Sequence, residues 1–211
     1  QIRTPLSAAM LYASHLAQDE RELAPETRRR FAGSLKERLH ELEHQVRDML
    51  VFARGELPLG DRLSPKGLFQ ALQQAAQPHV QGHAVRWQCD SHLGELLCNR
   101  DTLVGAMLNL IENALQASVG AARLKVHLYR RAHTLHLCVS DAGSGIDADL
   151  LGRLGEPFLT TKATGTGLGL AVVMAVVRAH HGKLQLRSRV GRGTCVRVEL
   201  PLIGGQPAEV A

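Results

Sequence analysis

Four short strings rich in glycine, asparagine or aspartate follow one another between residues 109 and 194, and they constrain the fold more than any other feature. They are Asn109-Leu-Ile-Glu-Asn113-Ala, Asp141-Ala-Gly143-Ser-Gly145, Gly165-Thr-Gly167-Leu-Gly169-Leu and Gly191-Arg-Gly193-Thr194. The first lies in a helical pattern, the second follows a strand pattern, and the third opens directly into a helix. Any one of them alone would mean little. Together they predict a fold that gathers helix carboxamides, one carboxylate and glycine-rich backbone into a single site.

The chain begins with a different pattern. Apolar residues recur every three or four positions over residues 1–18 and 26–54. Such a seam predicts two helices that need a partner, with Pro25 in the first turn of the second helix. One hairpin cannot bury both seams well, so we expect a homodimer in which helices 1–18 and 26–54 of two chains form a four-helix bundle.

From residue 57 the pattern is mixed, after a linker that contains Gly55, Pro58, Gly60 and Asp61. We expect helices over 65–77, 101–118 and 168–180, the first capped by Ser64 and the last stopped by Gly182. Strands are predicted over 85–89, 96–98, 123–130, 135–140, 183–188 and 194–200. The fold class is α+β: a helical hairpin (residues 1–56), an α/β sandwich with helices on one face of a sheet (57–204) and a tail (205–211).

Composition sets limits on partners and on the cellular compartment. The 211 residues are 45% hydrophobic but only 3% aromatic, which predicts a folded chain with an aliphatic core. The net charge of +5 comes from scattered arginines, so no nucleic-acid partner is expected. No apolar run approaches the roughly 18 residues of a membrane span, and four unpaired cysteines indicate free thiols in a reducing cytoplasm.

Asp141 follows a predicted strand, and its carboxylate can accept a hydrogen bond from the exocyclic amine of adenine. Gly143 and Gly145 would let the backbone approach the base. The alternative is an ordinary Asp-Gly turn.

Asn109 and Asn113 are four residues apart and therefore share one face of a helix. Two carboxamides there can hold Mg²⁺ and triphosphate oxygens, and Glu112 beside them can orient water or polarise a nucleophile. The alternative is a solvated polar stripe. The apolar residues assigned to the opposite side are Leu108, Ile111 and Leu115.

Gly165 to Gly169 precede a helix whose free amide groups and dipole favour phosphate. The string is neither a Walker loop nor a dinucleotide fingerprint. Thr160, Thr161 and Lys162 lie just upstream, and Lys162 can neutralise phosphate charge. The glycine-punctuated chain between Gly143 and Gly165 is expected to form a mobile lid.

The order of these strings resembles the ATP site of sensor histidine kinases, which have the GHKL or Bergerat fold. The first string is similar to the N box of that family, the second to its first glycine box, the third to its second glycine box, and Glu156-Pro-Phe158-Leu-Thr-Thr-Lys162 to its F box. The resemblance implies ATP and Mg²⁺ as cofactors, with Mg²⁺ on Asn113. Further nucleotide contacts are implied for Ile146, Phe158, Thr161, Lys162, Gly165, Thr166, Gly167, Leu168, Gly169 and Thr194.

Gln1-Ile-Arg-Thr4-Pro-Leu resembles the family's H box without its first residue. The resemblance then places the phosphoacceptor histidine immediately before Gln1, outside this chain. Gln1 stands where the family usually has an acidic residue that activates the imidazole, and Thr4 where a residue aligns water for dephosphorylation of the partner. These strings look most like nitrogen-regulator-type kinases, particularly the flagellar sensor kinases.

The resemblance implies transfer of the ATP γ-phosphoryl group to a histidine and then to an aspartate of a response-regulator receiver domain, a reaction that relies on positioning and charge neutralisation. The alternative is a dimeric ATP-binding scaffold that mainly binds or dephosphorylates the regulator. The hairpin argues against Hsp90, MutL and gyrase, which share the ATP fold.

A rival motif, His40-Glu-Leu-Glu-His44, matches the zincin string. Leu42 belongs to the apolar seam and no clear third ligand follows, so a solvated helix face is the preferred interpretation.

Overall fold

The computed structural model describes residues 3–17, 24–54, 57–91, 94–118, 120–156, 159–160 and 167–203. The chain divides into two compact units, Gln1–Leu50 and Val51–Ala211. None of the described helices combines the length and the apolarity needed to cross a membrane.

The first unit is a helical hairpin of α1 (Arg3–Ala17) and the greater part of α2 (Pro25–Arg54). Phe31 joins the two helices, because its ring centroid lies 5.8 Å from that of Tyr12 and 5.4 Å from that of His15. Ala9 is buried, but much of the apolar seam is not. Among the hairpin residues that the structure describes, the exposed large apolar side chains are Leu6, Met10, Leu11, Leu39, Val46 and Leu50.

The second unit is built on a five-stranded mixed sheet and a two-stranded antiparallel ribbon. The strands are β1 (Asp61–Leu63), β2 (Ala84–Cys89), β3 (Leu96–Cys98), β4 (Arg123–Arg131), β5 (Thr134–Asp141), β6 (Lys183–Arg189) and β7 (Gly193–Pro201). The large sheet has the order β2-β4-β5-β7-β6, in which only β2 and β4 are parallel. The ribbon pairs β1 with β3. The central strand β5 ends at Asp141, which puts that carboxylate in the middle of one sheet edge.

The helices of this unit are α3 (Pro65–Ala76), α4 (Arg100–Gln116), α5 (Ala148–Leu151) and α6 (Gly169–Ala179). Ser64 caps α3, as predicted, by accepting from the Gly67 amide at 3.1 Å. Helices α4 and α6 contact each other and the sheet, and α3 packs on α4. The core is aliphatic, and the α/β sandwich predicted from the sequence is confirmed. Its largest fully buried side chains include Leu68, Leu72, Leu103, Met107, Ile111, Leu128, Leu135, Leu137 and Leu200.

Two short elements lie where the sequence predicts none. β1 begins at Asp61, inside the expected linker, because its pairing with β3 and not an apolar pattern of its own makes it a strand. α5 interrupts the expected lid, and Asp147 caps it by accepting from the Asp149 amide at 2.9 Å.

The predicted stop of α6 at Gly182 is wrong in its detail. The residue in the left-handed region is His181, with φ of 55°. Gly182 is needed for a different reason: a Cβ there would lie 2.4 Å from the Glu199 carbonyl oxygen. The glycine therefore serves the close packing of the helix end on β7.

The four cysteines are free thiols, as predicted. Only Cys98 is fully buried, and the other three are half-buried.

Candidate functional site

Asp141 is fixed by two backbone amides, one from the loop that follows β5 and one from the neighbouring strand β7. Its Oδ1 accepts from the Gly143 amide at 2.8 Å and from the Thr194 amide at 3.2 Å. Within the described part of the chain, Oδ2 accepts no hydrogen bond. Burial raises the pKa of Asp141, and the backbone amides of Gly143, Thr194 and Asp141 itself oppose that rise. An ordinary Asp-Gly turn does not explain this arrangement, because the hydrogen bond from the Thr194 amide joins residues 53 positions apart.

Gly143 packs the first glycine loop against the end of the helix that carries the N box. A Cβ on Gly143 would lie 2.5 Å from the Ala117 carbonyl oxygen, a distance that no side chain can adopt. The same carbonyl accepts from the Ser144 amide at 2.9 Å. Asp141 and α4 are thereby held in a fixed relation by backbone contacts alone.

The segments 141–145 and 191–194, named here the two glycine loops, also contact each other. Gly145 has a φ of +70°, and a Cβ there would lie 2.1 Å from the Arg189 carbonyl oxygen. The Gly191 amide donates to the Ser144 carbonyl at 2.7 Å. Gly145 therefore has a structural reason to lack a side chain, whether or not a ligand is bound.

The N box is less exposed than a polar stripe would be. Asn109 is only 4% exposed, and no hydrogen bond joins its carboxamide to another described residue. The amide atoms of Asn109 are not among the fully buried polar atoms without a partner in the described residues, so the carboxamide keeps some access to solvent or to a ligand. Asn113 lies beside the start of α6, because a Cβ built on Gly169 would be 3.8 Å from Asn113 Nδ2.

The expected division of α4 into two faces is only partly right. Ile111 is fully buried, but Leu108 and Leu115 are half-buried. The helix is covered by α3, α6 and the sheet, so more of its circumference is buried than a simple amphipathic pattern implies. Its buried residues are Leu103, Ala106, Met107, Asn109, Leu110, Ile111 and Ala114.

Glu112 has a partner that the sequence did not indicate. Its Oε1 lies 3.1 Å from His79 Nδ1, and the two side chains are 23% and 41% exposed. Since His79 follows α3, 33 positions earlier, no local spacing could have identified it. The pair fixes one oxygen of the carboxylate that the sequence assigns a catalytic role.

Helix α6 starts without a side-chain cap. Leu168 occupies the N-cap position, is 1% exposed and makes no capping bond through its side chain. Gly167 before it has a φ of +69°. The first amide groups of α6 have no intrahelical acceptor, and an anion can satisfy them.

Several predicted residues cannot be placed in this geometry. Gln1, Phe158, Thr161, Lys162, Gly165 and Thr166 lie outside the described residues. Thr4 lies in α1, and His40 and His44 lie in α2, but the placement of these three side chains is likewise outside the description.

A further residue of the site is Ser188, which belongs to none of the four sequence strings. Its Oγ accepts from the Ile146 amide at 2.8 Å and lies 2.8 Å from Thr194 Oγ1. Ile146 and Thr194 were both predicted as nucleotide contacts. The signal that could have found Ser188 is a small polar residue near the end of a predicted strand, just ahead of the Gly191–Thr194 string.

Two family profiles match the chain. The one described as "Histidine kinase-, DNA gyrase B-, and HSP90-like ATPase" matches residues 98–204, and the one described as "His Kinase A (phospho-acceptor) domain" matches residues 1–58. The predicted lack of a phosphoacceptor histidine is not supported, because the phospho-acceptor domain is found.

Sensor protein kinase FleS of Pseudomonas aeruginosa is 69% identical over 207 residues, which cover 98% of this chain and 51% of FleS. The chain therefore spans about half the length of this relative. Among solved structures, Acinetobacter baumannii histidine kinase AdeS has the same fold, with a TM-score of 0.72 at 22% identity over 96% of this chain and 97% of AdeS.

Full-length ShkA in complex with AMPPNP aligns with a TM-score of 0.72 at 26% identity, over 95% of this chain and 43% of ShkA. The ATPase profile, the similarity to FleS and the shared fold agree with the geometry of the second unit, and the phospho-acceptor profile covers the helical hairpin. The chain therefore belongs to the sensor histidine kinases, with a phospho-acceptor hairpin ahead of an ATPase domain.

Proposed function

We propose that this chain is the cytoplasmic core of a two-component sensor histidine kinase that binds Mg-ATP, phosphorylates a histidine of the phospho-acceptor domain and passes the phosphoryl group to a response-regulator aspartate. The observation that carries the proposal is the state of Asp141. One of its oxygens is held by two amides, and the other has no partner within the described residues.

This arrangement suits adenine. The exocyclic amine of adenine is a donor, and Oδ2 is an acceptor at a half-buried position, where a charge-assisted hydrogen bond is strong. Guanine and hypoxanthine carry a carbonyl oxygen at the same ring position, which would face the carboxylate unfavourably. Asp141 therefore selects the base as well as binding it. The complex of ShkA with AMPPNP supports an adenine nucleotide as ligand.

The polyphosphate is assigned to the groups between α4 and α6. The uncapped start of α6 supplies amide donors, and Asn109 and Asn113 supply carboxamides. The oxygen of Asn113 is suited to Mg²⁺, which prefers oxygen ligands. When bound, Mg²⁺ would neutralise the charge that develops on the phosphate oxygens.

In the transfer step, an imidazole nitrogen of the acceptor histidine attacks the γ-phosphorus, the bond to the β–γ bridging oxygen breaks, and ADP leaves. Glu112 is assigned to polarise that imidazole, and His79 holds the glutamate. Thr4 is assigned to align water for dephosphorylation of the regulator, and Gln1 stands where an acidic helper is usual.

The hairpin is proposed to dimerise. A two-helix unit whose described residues include large exposed apolar side chains gains stability by covering them with a second copy, as in a four-helix bundle. The resemblance to flagellar sensor kinases and the identity with FleS favour a role in flagellar regulation.

The proposal is tested with the intact protein, Mg²⁺ and γ-labelled ATP. We expect acid-labile, base-stable label on the protein and its transfer to a cognate receiver domain. Asn113→Ala should abolish labelling, and Gln70→Ala, which removes an exposed carboxamide of α3, should not. Binding of ADP without any label would instead favour the scaffold, and absence of both binding and label would contradict the kinase assignment.

A further inference from the structure

We propose that Ser188 is a positioning residue for the nucleotide site, whose hydroxyl group locks the two glycine loops together around Asp141. The inference rests on the proposed function, since it assigns Asp141 to adenine. Ser188 does not touch the base in this assignment. It acts through Ile146, Gly193 and Thr194.

The geometry brings three groups to one oxygen. Ser188 lies near the end of β6 and is paired in register with Thr194 of β7. Its Oγ accepts from the Ile146 amide at 2.8 Å, donates to the Gly193 carbonyl at 3.0 Å and lies 2.8 Å from Thr194 Oγ1.

The proton positions follow from the inventory of a hydroxyl group, which has one donor and two acceptor sites. The Gly193 carbonyl can only accept, so it takes the Ser188 proton. The Ile146 amide can only donate, so it fills one lone pair. Thr194 Oγ1 must then be the donor to the other lone pair. The one donor and two acceptor sites of the Ser188 hydroxyl group are therefore all occupied, and the orientation of the group is fixed.

These bonds connect both sides of the site. Ile146 directly follows the first glycine loop, and Gly193 and Thr194 belong to the last one. Thr194 also donates its backbone amide to Asp141 Oδ1. Loss of the hydroxyl would leave the Ile146 amide and the Gly193 carbonyl without this partner, and it would loosen the support of the Asp141 carboxylate.

The test compares Ser188→Ala with two variants, with Mg-ADP binding followed by calorimetry and autophosphorylation by labelled ATP. We expect Ser188→Ala to weaken ADP about tenfold and to raise the KM for Mg-ATP with little change in kcat. Ser188→Thr keeps a hydroxyl on a residue that strands favour, and we expect it to restore most of the affinity. Ser140→Ala on β5, which is separated from β6 by β7, is the matched control, because the Ser140 hydroxyl makes no hydrogen bond within the described residues.

Thermal unfolding establishes that each variant is folded. If Ser188→Ala does not fold, Thr194→Val takes its place, because it removes one bond to Ser188 while it keeps the backbone amide, and we expect about threefold weaker ADP binding. Unchanged affinity in a folded Ser188→Ala, or in Thr194→Val, would overturn the inference. So would a drop in kcat at unchanged KM. Absence of ADP binding by the wild type would overturn the proposed function itself, and the assignment of Ser188 with it.

Discussion

A side chain at position 193 has no room beside Asp141, because an ideal Cβ on Gly193 would lie 2.1 Å from the Asp141 carbonyl oxygen. The φ of Gly193 is +87°, which also disfavours any other residue. The strand that delivers the carboxylate and the loop that holds it therefore touch through backbone atoms.

We expect Gly193→Ala to destabilise the second unit and to abolish ADP binding. The matched control is Gly82→Ala, where φ is +78° but nothing lies within 4 Å of the added Cβ. The control should cost about 1–2 kcal/mol from the backbone conformation alone and leave ADP affinity unchanged. Equal losses in the free energy of unfolding for the two variants, measured by chemical denaturation, would mean that the contact with Asp141 is unimportant.

Removal of the Asp141 charge should separate stability from function. Burial raises the pKa of Asp141, so the ionised form is disfavoured in the nucleotide-free fold. The stability that this raised pKa gives to the folded state is present below the unfolded pKa of about 3.8. It is lost as pH rises through the folded pKa. We therefore expect Asp141→Asn to be at least as stable as the wild type at pH 7. A clear loss of thermal stability, absent from the exposed control Asp101→Asn, would contradict this.

Acid should destabilise the second unit through His180. This ring is 3% exposed, and its Nε2 accepts from the Asn99 amide at 3.0 Å, so Nδ1 carries the proton towards the Val176 carbonyl at 2.7 Å. Burial lowers the pKa of His180 below 6.5. The contribution of neutral His180 to the free energy of unfolding is therefore complete above pH 6.5 and is lost as pH falls through the folded pKa.

The test is the free energy of unfolding as a function of pH for the wild type and for His180→Gln. The variant should lose about 1–3 kcal/mol at pH 7 but show a shallower decline below pH 6.5. Burial also lowers the pKa of His136, so part of the decline should remain. Parallel curves for the two proteins would show that His180 does not contribute to the acid sensitivity.

Loss of His79 should affect turnover more than stability. The pair with Glu112 is partly exposed, and pairs of that kind contribute about 0.2–1 kcal/mol. We expect His79→Ala to slow autophosphorylation by up to about fivefold at an unchanged affinity for ADP. The control is His133→Ala, which removes an exposed imidazole from a turn. Equal rates in both variants would argue against the assigned role of Glu112.

Local patterns predicted most of the helices and strands because alternation and capping residues act within a few positions. Ser64 is an example, since its capping bond lies only three residues away. β1 was missed because its strand character depends on β3, which lies more than 30 residues further on.

The contrast between local patterns and partners distant in sequence also holds for the residues of the site. Asp141 and the glycine loops are visible in the sequence because each occurs in a short string. The roles of Ser188 and His79 are not, because each depends on a partner that only the fold brings near, Ile146 in the first case and Glu112 in the second.

Recognition of the exocyclic amine of adenine by Asp141 can be tested with two nucleotides that differ at that ring position, ADP and IDP. Oδ1 accepts from two amides, so Asp141→Asn must place its oxygen there and direct its NH₂ group at the base. That NH₂ group faces another donor in the amine of ADP, but it can donate a hydrogen bond to the carbonyl oxygen of IDP.

Calorimetric titration of the wild type and Asp141→Asn with Mg-ADP and Mg-IDP is therefore the decisive measurement. We expect the wild type to prefer ADP by at least tenfold, and the variant to lose or reverse that preference. Equal affinity of the wild type for the two nucleotides, or an intact preference for ADP in Asp141→Asn, would show that Asp141 does not recognise the exocyclic amine.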